Sequence, residues 1–470
     1  MSKINPSLKP TPKVDVRSRL AGGSGAFAAT QSNIALLRRA VLANLLWEDI
    51  AYMDGASVAA EISRLIPLCK PEDVHALAIE ARIQQKLRHT PLFIAAEMCK
   101  HEGTKSYVSQ TLPAIITRAD MLTDFLALYW GKKKHPIAAQ AKKGLAAAFH
   151  NFNEYKLAKY DRDAAIKLRD VMFLCRPKPR NEYEEKLFKK VADRTLATPD
   201  TWEVALSTGK DKKETWTRLI NEGKIGGLAM LRNINNMKKA GVDRKVIAKG
   251  LETLKSAMLL PMNFLQAARM NPEFEREIED AMLASYANLP KLKGRTLFIV
   301  DVSGSMTAQM SAKSDLSRMD AAMAMAMLAA SQCEDYELVC TAGSDAKRVQ
   351  ASEHIKYPKK GFGLFGQIKQ AYARLGNGGI FTRQCLEWCK ENVGANFDRI
   401  IVFSDSQDCD WPDKRIPKPF GKFNYICDVS ANTRGINYRG VWDAEISGFS
   451  ENFLTFIGAY EGLANMFDEQ

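Results

Sequence analysis

Between residues 33 and 287 one amphipathic helical segment follows another, with almost no strand-like alternation. At 289–294 (Leu-Pro-Lys-Leu-Lys-Gly) the texture changes to short apolar runs separated by helix-like stretches. One layer architecture does not accommodate both patterns, so the chain must fold as at least two parts. The first part opens its helices in the expected way: Pro71 followed by two acids starts one, and Thr90 before Pro91 starts another. Short helices joined by short polar turns predict an α-helical repeat in which each pair buries its apolar face on the next. No clean sequence period accompanies this pattern, so the repeat is read from composition. Ahead of it, residues 1–27 carry Pro6, Pro10, Pro12 and a Gly-rich stretch with little periodicity, and are expected to form a flexible N-terminal arm. The expected division is therefore 1–27 arm, 28–290 helical repeat and 291–470 α/β domain.

In the last part, apolar runs at 296–300, 336–341, 399–403, 424–427 and 453–457 are too short for helices and apolar on both parities. They predict buried strands, and their alternation with helices predicts a doubly wound α/β domain. Ligands in such sheets bind beyond the carboxyl ends of the strands. Asp301, Ser303 and Ser305 follow the first run, Asp405 follows the run at 399–403, and Thr382 follows the Gly-rich turn at 376–379. Two carboxylates and three hydroxyls form an all-oxygen donor set, which suits Mg²⁺ or another hard divalent cation such as Mn²⁺ and disfavours Zn²⁺. Hydroxyl ligands leave such an ion under-neutralised, so an acidic side chain from a partner protein could complete its shell. The alternative is that Ser303 and Ser305 simply cap the next helix. Met319, Met323, Met325 and Met327 alternate with small residues and read as core beneath the sheet. The six histidines do not approach ligand spacing, and no phosphate-binding loop or nucleophile elbow is present.

Charge separates the parts as clearly as periodicity does. Residues 1–290 hold 46 Lys+Arg against 32 Asp+Glu, whereas residues 291–470 hold 21 against 22. Within the first part, residues 131–180 hold 13 basic and 4 acidic side chains, an excess of +9. A solvated helix face is one reading; an anionic polymer is the other, because phosphate neutralisation rewards clustered Lys and Arg. Nine cysteines without framework spacing point to a reducing, cytoplasmic setting, and neither a signal peptide nor a membrane-length apolar run is found.

The C-terminal 180 residues resemble the von Willebrand factor A fold and its metal-ion-dependent adhesion site. Asp301, Ser303, Ser305 and Asp405 match that motif directly, and Thr382 takes the threonine's place with Ile380 and Phe381 between it and the Gly pair. The helical part, through the segment 225–237 with Arg232 and Asn233 and the Leu-Pro-Met-Asn-Phe segment at 260–264, resembles the TROVE module of the Ro family. That resemblance implies HEAT-like repeats closed into a ring, small noncoding Y RNA on the outer surface and single-stranded RNA ends in the hole. It also implies an RNA surface at Lys159, Tyr160 and Arg162, and at Arg176 and Lys178, with Arg162 one position earlier than the family's arginine and Arg176 in place of its histidine. These positions fall inside the +9 segment, so the charge excess and the resemblance point to one surface.

The sequence thus predicts a non-enzymatic, monomeric RNA-binding ribonucleoprotein component without membrane association, acting in RNA quality control. Arg232 and Asn233 are either RNA contacts or parts of a helix terminus. A metal-dependent adhesion or assembly factor with the helical part as scaffold is the first alternative. A phosphatase-like Mg²⁺ enzyme is a weaker one, because Ser303 stands where a second acid would be expected.

Overall fold

The structure is a computed structural model that describes residues 15–19, 27–28, 33–42, 55–131, 133–207, 211–256, 259–310, 315–376, 378–410, 416–429, 441–448 and 450–468. Of the arm expected over 1–27, residues 15–19 pair antiparallel with 27–28, and the remainder lies outside the described residues. The chain divides into two compact units: Ala60–Gly226 with Asn236–Gly250, and Met1–Ala59 with Gly227–Asn235 and Leu251–Gln470.

The first unit is helical, with no strand among its described residues. Helix Pro71–Ile83 shows why such segments form: proline begins it, Glu72 and Asp73 face the positive end of its dipole, and Val74, Leu77, Ala78 and Ala81 make one buried stripe. That helix packs on His89–Met98, which in turn packs on Asp120–Trp130, and Val108–Ile115 packs on Ala139–Phe149. Helices thus bury their faces on partners near in sequence, as a stacked helical array requires. Later in the chain Trp202 stacks on the buried Trp216 with ring centroids 5.7 Å apart.

The second unit is built on a six-stranded sheet: β1 Leu292–Asp301, β2 Cys333–Ser344, β3 Val349–His354, β4 Arg399–Ser404, β5 Phe423–Asp428 and β6 Ala444–Ser447. Their order is β3-β2-β1-β4-β5-β6, parallel throughout except for the antiparallel edge strand β3. This mixed sheet is the doubly wound arrangement expected from the sequence, with one reversed edge. Both faces are covered. Leu297 and Ile299 pack with Cys385, Leu386 and Trp442, while Phe298 meets Tyr336 and Phe403. Met319, Met323, Met325 and Met327 on helix Arg318–Gln332 are core residues, each no more than 5% exposed.

Helix Pro261–Met270 belongs to this unit, packing on Arg318–Gln332, with the Arg269 guanidinium paired to Asp320. The run at 453–457, expected as a strand, is instead the start of helix Asn452–Asp468. Phe453, Leu454 and Ile457 are its buried residues, a helical spacing that the run's β-prone composition concealed. Arg399 at the start of β4 holds this helix to the sheet. It donates from Nε and Nη2 to the two Glu461 oxygens at 2.8 Å each, and from Nη1 to Thr296 at 2.8 Å. No helix among the described residues is long and apolar enough to cross a membrane.

Candidate functional site

The sheet reverses its direction of growth between β1 and β4, which leaves a crevice beyond their carboxyl ends. Asp301 is the last residue of β1 and Asp405 follows the last residue of β4, so parallel pairing of these neighbours sets both carboxylates in that crevice. Asp301 is fully buried: its Oδ1 accepts the Ser303 amide at 2.8 Å and its Oδ2 accepts the Ser404 hydroxyl at 2.6 Å. Ser303 and Ser305 lie with their Oγ atoms 3.3 Å apart, and the Ser305 hydroxyl bonds to Asp405. One hydrogen-bonded chain therefore links four of the five predicted metal ligands.

Thr382 reaches the same loops from another direction. It begins helix Thr382–Asn392, and its amide donates to Asp408 at 3.5 Å. Its Oγ1 is buried and has no hydrogen-bond partner among the described residues. The Gly-rich turn before it approaches its neighbours closely: the Gly304 amide donates to the Gly378 carbonyl at 3.2 Å, and a Cβ on Gly378 would collide with the Gly343 carbonyl.

Burial raises the Asp301 carboxyl above its ordinary range, and burial followed by repulsion from Asp301 raises Asp405 to about 7. Two buried carboxyls that disfavour each other's charge, beside an orphaned hydroxyl, make an oxygen-lined site whose instability a hard cation would relieve. Among the described residues no three of His, Cys, Asp and Glu gather as a metal cluster, so a cation here would depend on the hydroxyls. The residues present fit such an ion.

Three neighbours were not foreseen. Ser404 orients Asp301. Asp408, three residues after Asp405, holds the amides of Thr382 and Asp410. Arg318 is buried at the start of its helix, donates to the Val429 carbonyl at 2.6 Å and feels the charges of Asp405 and Asp428. The acid-rich loop 405–410 was a readable signal; the approach of Arg318 from over 80 residues upstream was not.

In the helical unit Lys159 and Tyr160 follow the short helix Glu154–Ala158, and the Tyr160 ring carries two cations, Arg118 at 4.9 Å and Lys159 at 5.7 Å from its centroid. Arg162 and Lys178 are exposed. Arg176 is also exposed and ends helix Leu168–Cys175 in a left-handed conformation with φ 48°. Many other cations of this unit have acidic partners: Arg180 pairs with Glu184, Lys190 with Glu154 and Arg218 with Asp200. Among the described residues, Lys159, Arg162, Arg176 and Lys178 have no ion-pair partner. In the other unit, Arg232 is exposed on helix Gly227–Lys239. Asn233 beside it is 6% exposed and donates its amide to the Ala229 carbonyl at 2.9 Å, in mid-helix rather than at a terminus.

Comparison with known proteins falls on this architecture. Residues 193–342 match the family model of the TROVE domain. Over 78 residues, 15% of this chain, the sequence is 35% identical to the mouse (Mus musculus) protein telomerase protein component 1, of whose length it spans 3%. The fold is similar to the crystal structure of the Deinococcus radiodurans Ro (Rsr) protein, with a TM-score of 0.53 and 16% identity over 89% of this chain and 97% of that one. The chain thus contains a stretch that matches the TROVE domain, within a fold of the kind seen in a bacterial Ro protein.

Proposed function

We propose that this protein is an RNA-binding, ribonucleoprotein-forming chain of the Ro type, non-enzymatic and cytoplasmic. The observation that carries the reading is the set of uncompensated cations at Lys159, Arg162, Arg176 and Lys178, inside a segment with an excess of +9. Surface cations add little to a fold even when paired, and ones without carboxylate partners are free to meet phosphate, to which much of protein–nucleic-acid hydrogen bonding goes. The TROVE match adds to this. On this reading, structured RNA of the Y class lies along the basic face, and single-stranded ends of other RNAs are held elsewhere in the helical repeat. Retention of such ends would serve RNA quality control. Lys159, Arg162, Arg176 and Lys178 neutralise phosphates, Tyr160 holds Lys159 and Arg118 in place, and Arg232 offers a further exposed cation.

The sheet crevice has a separate role, binding Mg²⁺ or Mn²⁺. Asp301 and Asp405 supply charge, Ser303 and Ser305 supply neutral oxygen, and Thr382 has a hydroxyl to give. An ion held by so few carboxylates favours an acidic side chain from a partner protein at its remaining position. Ultraviolet crosslinking of the full chain to cellular RNA, followed by sequencing of the RNA and mapping of the crosslinked peptides, tests the reading. Crosslinks within 131–180 to small structured RNA are expected; enrichment of protein partners without RNA would favour the adhesion-factor alternative.

A further inference from the structure

Helix Leu168–Cys175 presents an aromatic ring to solvent where an amphipathic helix would normally present a polar residue. Phe173 is 51% exposed, and Leu174 beside it is 37% exposed. Single exposed apolar side chains are ordinary on a protein surface, but Phe173 stands beside exposed Leu174 and opens onto a cleft, where a ring can meet a ligand. Phe173 lines a cleft of about 450 Å³ together with Met172, Arg176, Pro177, Pro179 and the buried Phe188. The guanidinium of Arg169, one turn earlier, sits 5.3 Å from the Phe173 ring centroid, so the ring is already steadied by a cation. Two prolines and a helix end fix the shape of the cleft, which limits the ordering that a ligand must impose on it.

Arg176 sharpens the argument. Its left-handed backbone, φ 48°, is one that glycine adopts without cost and arginine does not. Arg194 ends the next helix in the same left-handed conformation, so it is the place of Arg176 at the rim of the cleft that bears on a ligand. A cation beside an exposed aromatic face, in a segment with an excess of +9, complements a ligand that is flat, apolar on its faces and anionic along one edge. A nucleotide with its base unpaired has that chemistry: the base stacks on the ring and the phosphate meets the cation. An acidic peptide would satisfy the charge but would leave the flat ring without a matching face.

We infer that the Phe173 cleft is a stacking site for one unpaired nucleobase, with Arg176 on the adjoining phosphate. This rests on the RNA-binding reading above and adds that the basic surface recognises bases as well as backbone. A base stacked on an aromatic ring typically strengthens binding by roughly tenfold or more. The test compares the full chain with Phe173→Ala and Phe173→Tyr, using fluorescence anisotropy with a labelled oligouridylate and with an abasic strand of equal length. Wild type and Phe173→Tyr should favour the base-bearing strand by about tenfold, and Phe173→Ala should lose that preference while binding the abasic strand as before. Phe173 is exposed, so its replacement leaves the fold intact, which circular dichroism verifies. Equal binding of both strands by wild type, or an undiminished preference in Phe173→Ala, would overturn the stacking site and leave phosphate binding standing. Phe173-dependent capture of a polyglutamate peptide without any base preference would assign the cleft to a protein partner instead. Failure of wild type to bind either strand would overturn the stacking site, and crosslinking of the full chain to structured RNA then decides separately whether the RNA reading stands.

Discussion

Ser404, the last residue of β4, donates its hydroxyl to Asp301, the last residue of β1, at 2.6 Å across the seam where the sheet changes direction. The bond favours the ionised carboxylate and opposes the effect of burial. The same hydroxyl accepts the Ser406 amide at 3.1 Å, so it also shapes the loop that carries Asp405. Ser404→Ala should therefore destabilise the fold by about 1–3 kcal/mol, as expected when a buried charged acceptor loses its donor. It should also weaken Mg²⁺ binding. Urea unfolding and Mg²⁺ titration calorimetry of the variant measure the two effects separately.

The raised carboxyls fix the sign of a pH effect. A carboxyl whose pKa is higher in the folded state than in the unfolded one stabilises the fold when protonated, so without metal that contribution is present at low pH and is lost as pH rises through about 7. Mg²⁺ requires both groups ionised, so its binding should release protons near neutral pH and strengthen from pH 6 to pH 8. Metal a hundredfold above its Kd should add about 2.7 kcal/mol of stability. Melting curves with EDTA and with Mg²⁺ at the two pH values check this, and Asp301→Asn should abolish the Mg²⁺ gain while leaving RNA affinity unchanged. Asp301-dependent phosphate-ester hydrolysis would contradict the non-enzymatic assignment.

Strain and function should part at Arg176. With φ at 48°, Arg176→Gly relieves a left-handed backbone, worth about 1 kcal/mol, and removes a cation from the basic face. The variant should unfold at equal or higher urea concentration than wild type and bind RNA more weakly. A loss of stability together with unchanged RNA binding would show that the arginine is structural.

Much of this was readable before any fold was known, and the failures have identifiable causes. The placement of Asp301 and Asp405 at the ends of neighbouring strands was legible because each follows a run apolar on both parities, the mark of a buried parallel strand. The run at 453–457 shares that composition, yet Phe453, Leu454 and Ile457 are buried at helical spacing, a distinction too fine for five residues. Strand β6 was missed because Ala-Glu-Ile-Ser is short and carries a glutamate, and its parallel pairing with β5 is not visible in four residues. The +9 segment was visible by counting, but counting does not show which of its cations meet acids: Lys167 pairs with Asp163 and Arg180 with Glu184, each four residues away, whereas Arg176 and Lys178 fall between two helices. Phe173 lies in a continuous apolar run, Val-Met-Phe-Leu-Cys, that gives no sign of which side faces water.

RNA ends give a further prediction. If the helical repeat retains single strands, a duplex with an unpaired tail should bind more tightly than the same duplex with blunt ends, because a lone strand exposes both bases and phosphates to the protein. Competition between the two at fixed salt measures the preference, and equal affinity would contradict it.

The most direct test of the central claim is the salt dependence of RNA affinity in wild type and in the combined variant Lys159→Ala, Arg162→Ala, Arg176→Ala. Each phosphate neutralised contributes roughly −0.7 to −0.9 to the slope of log K against log salt, so losing three contacts should flatten the slope by about two units and weaken binding at low salt. Such a flattening, with the fold preserved, is what the uncompensated cations predict. An unchanged slope and affinity would contradict the claim that this surface binds RNA.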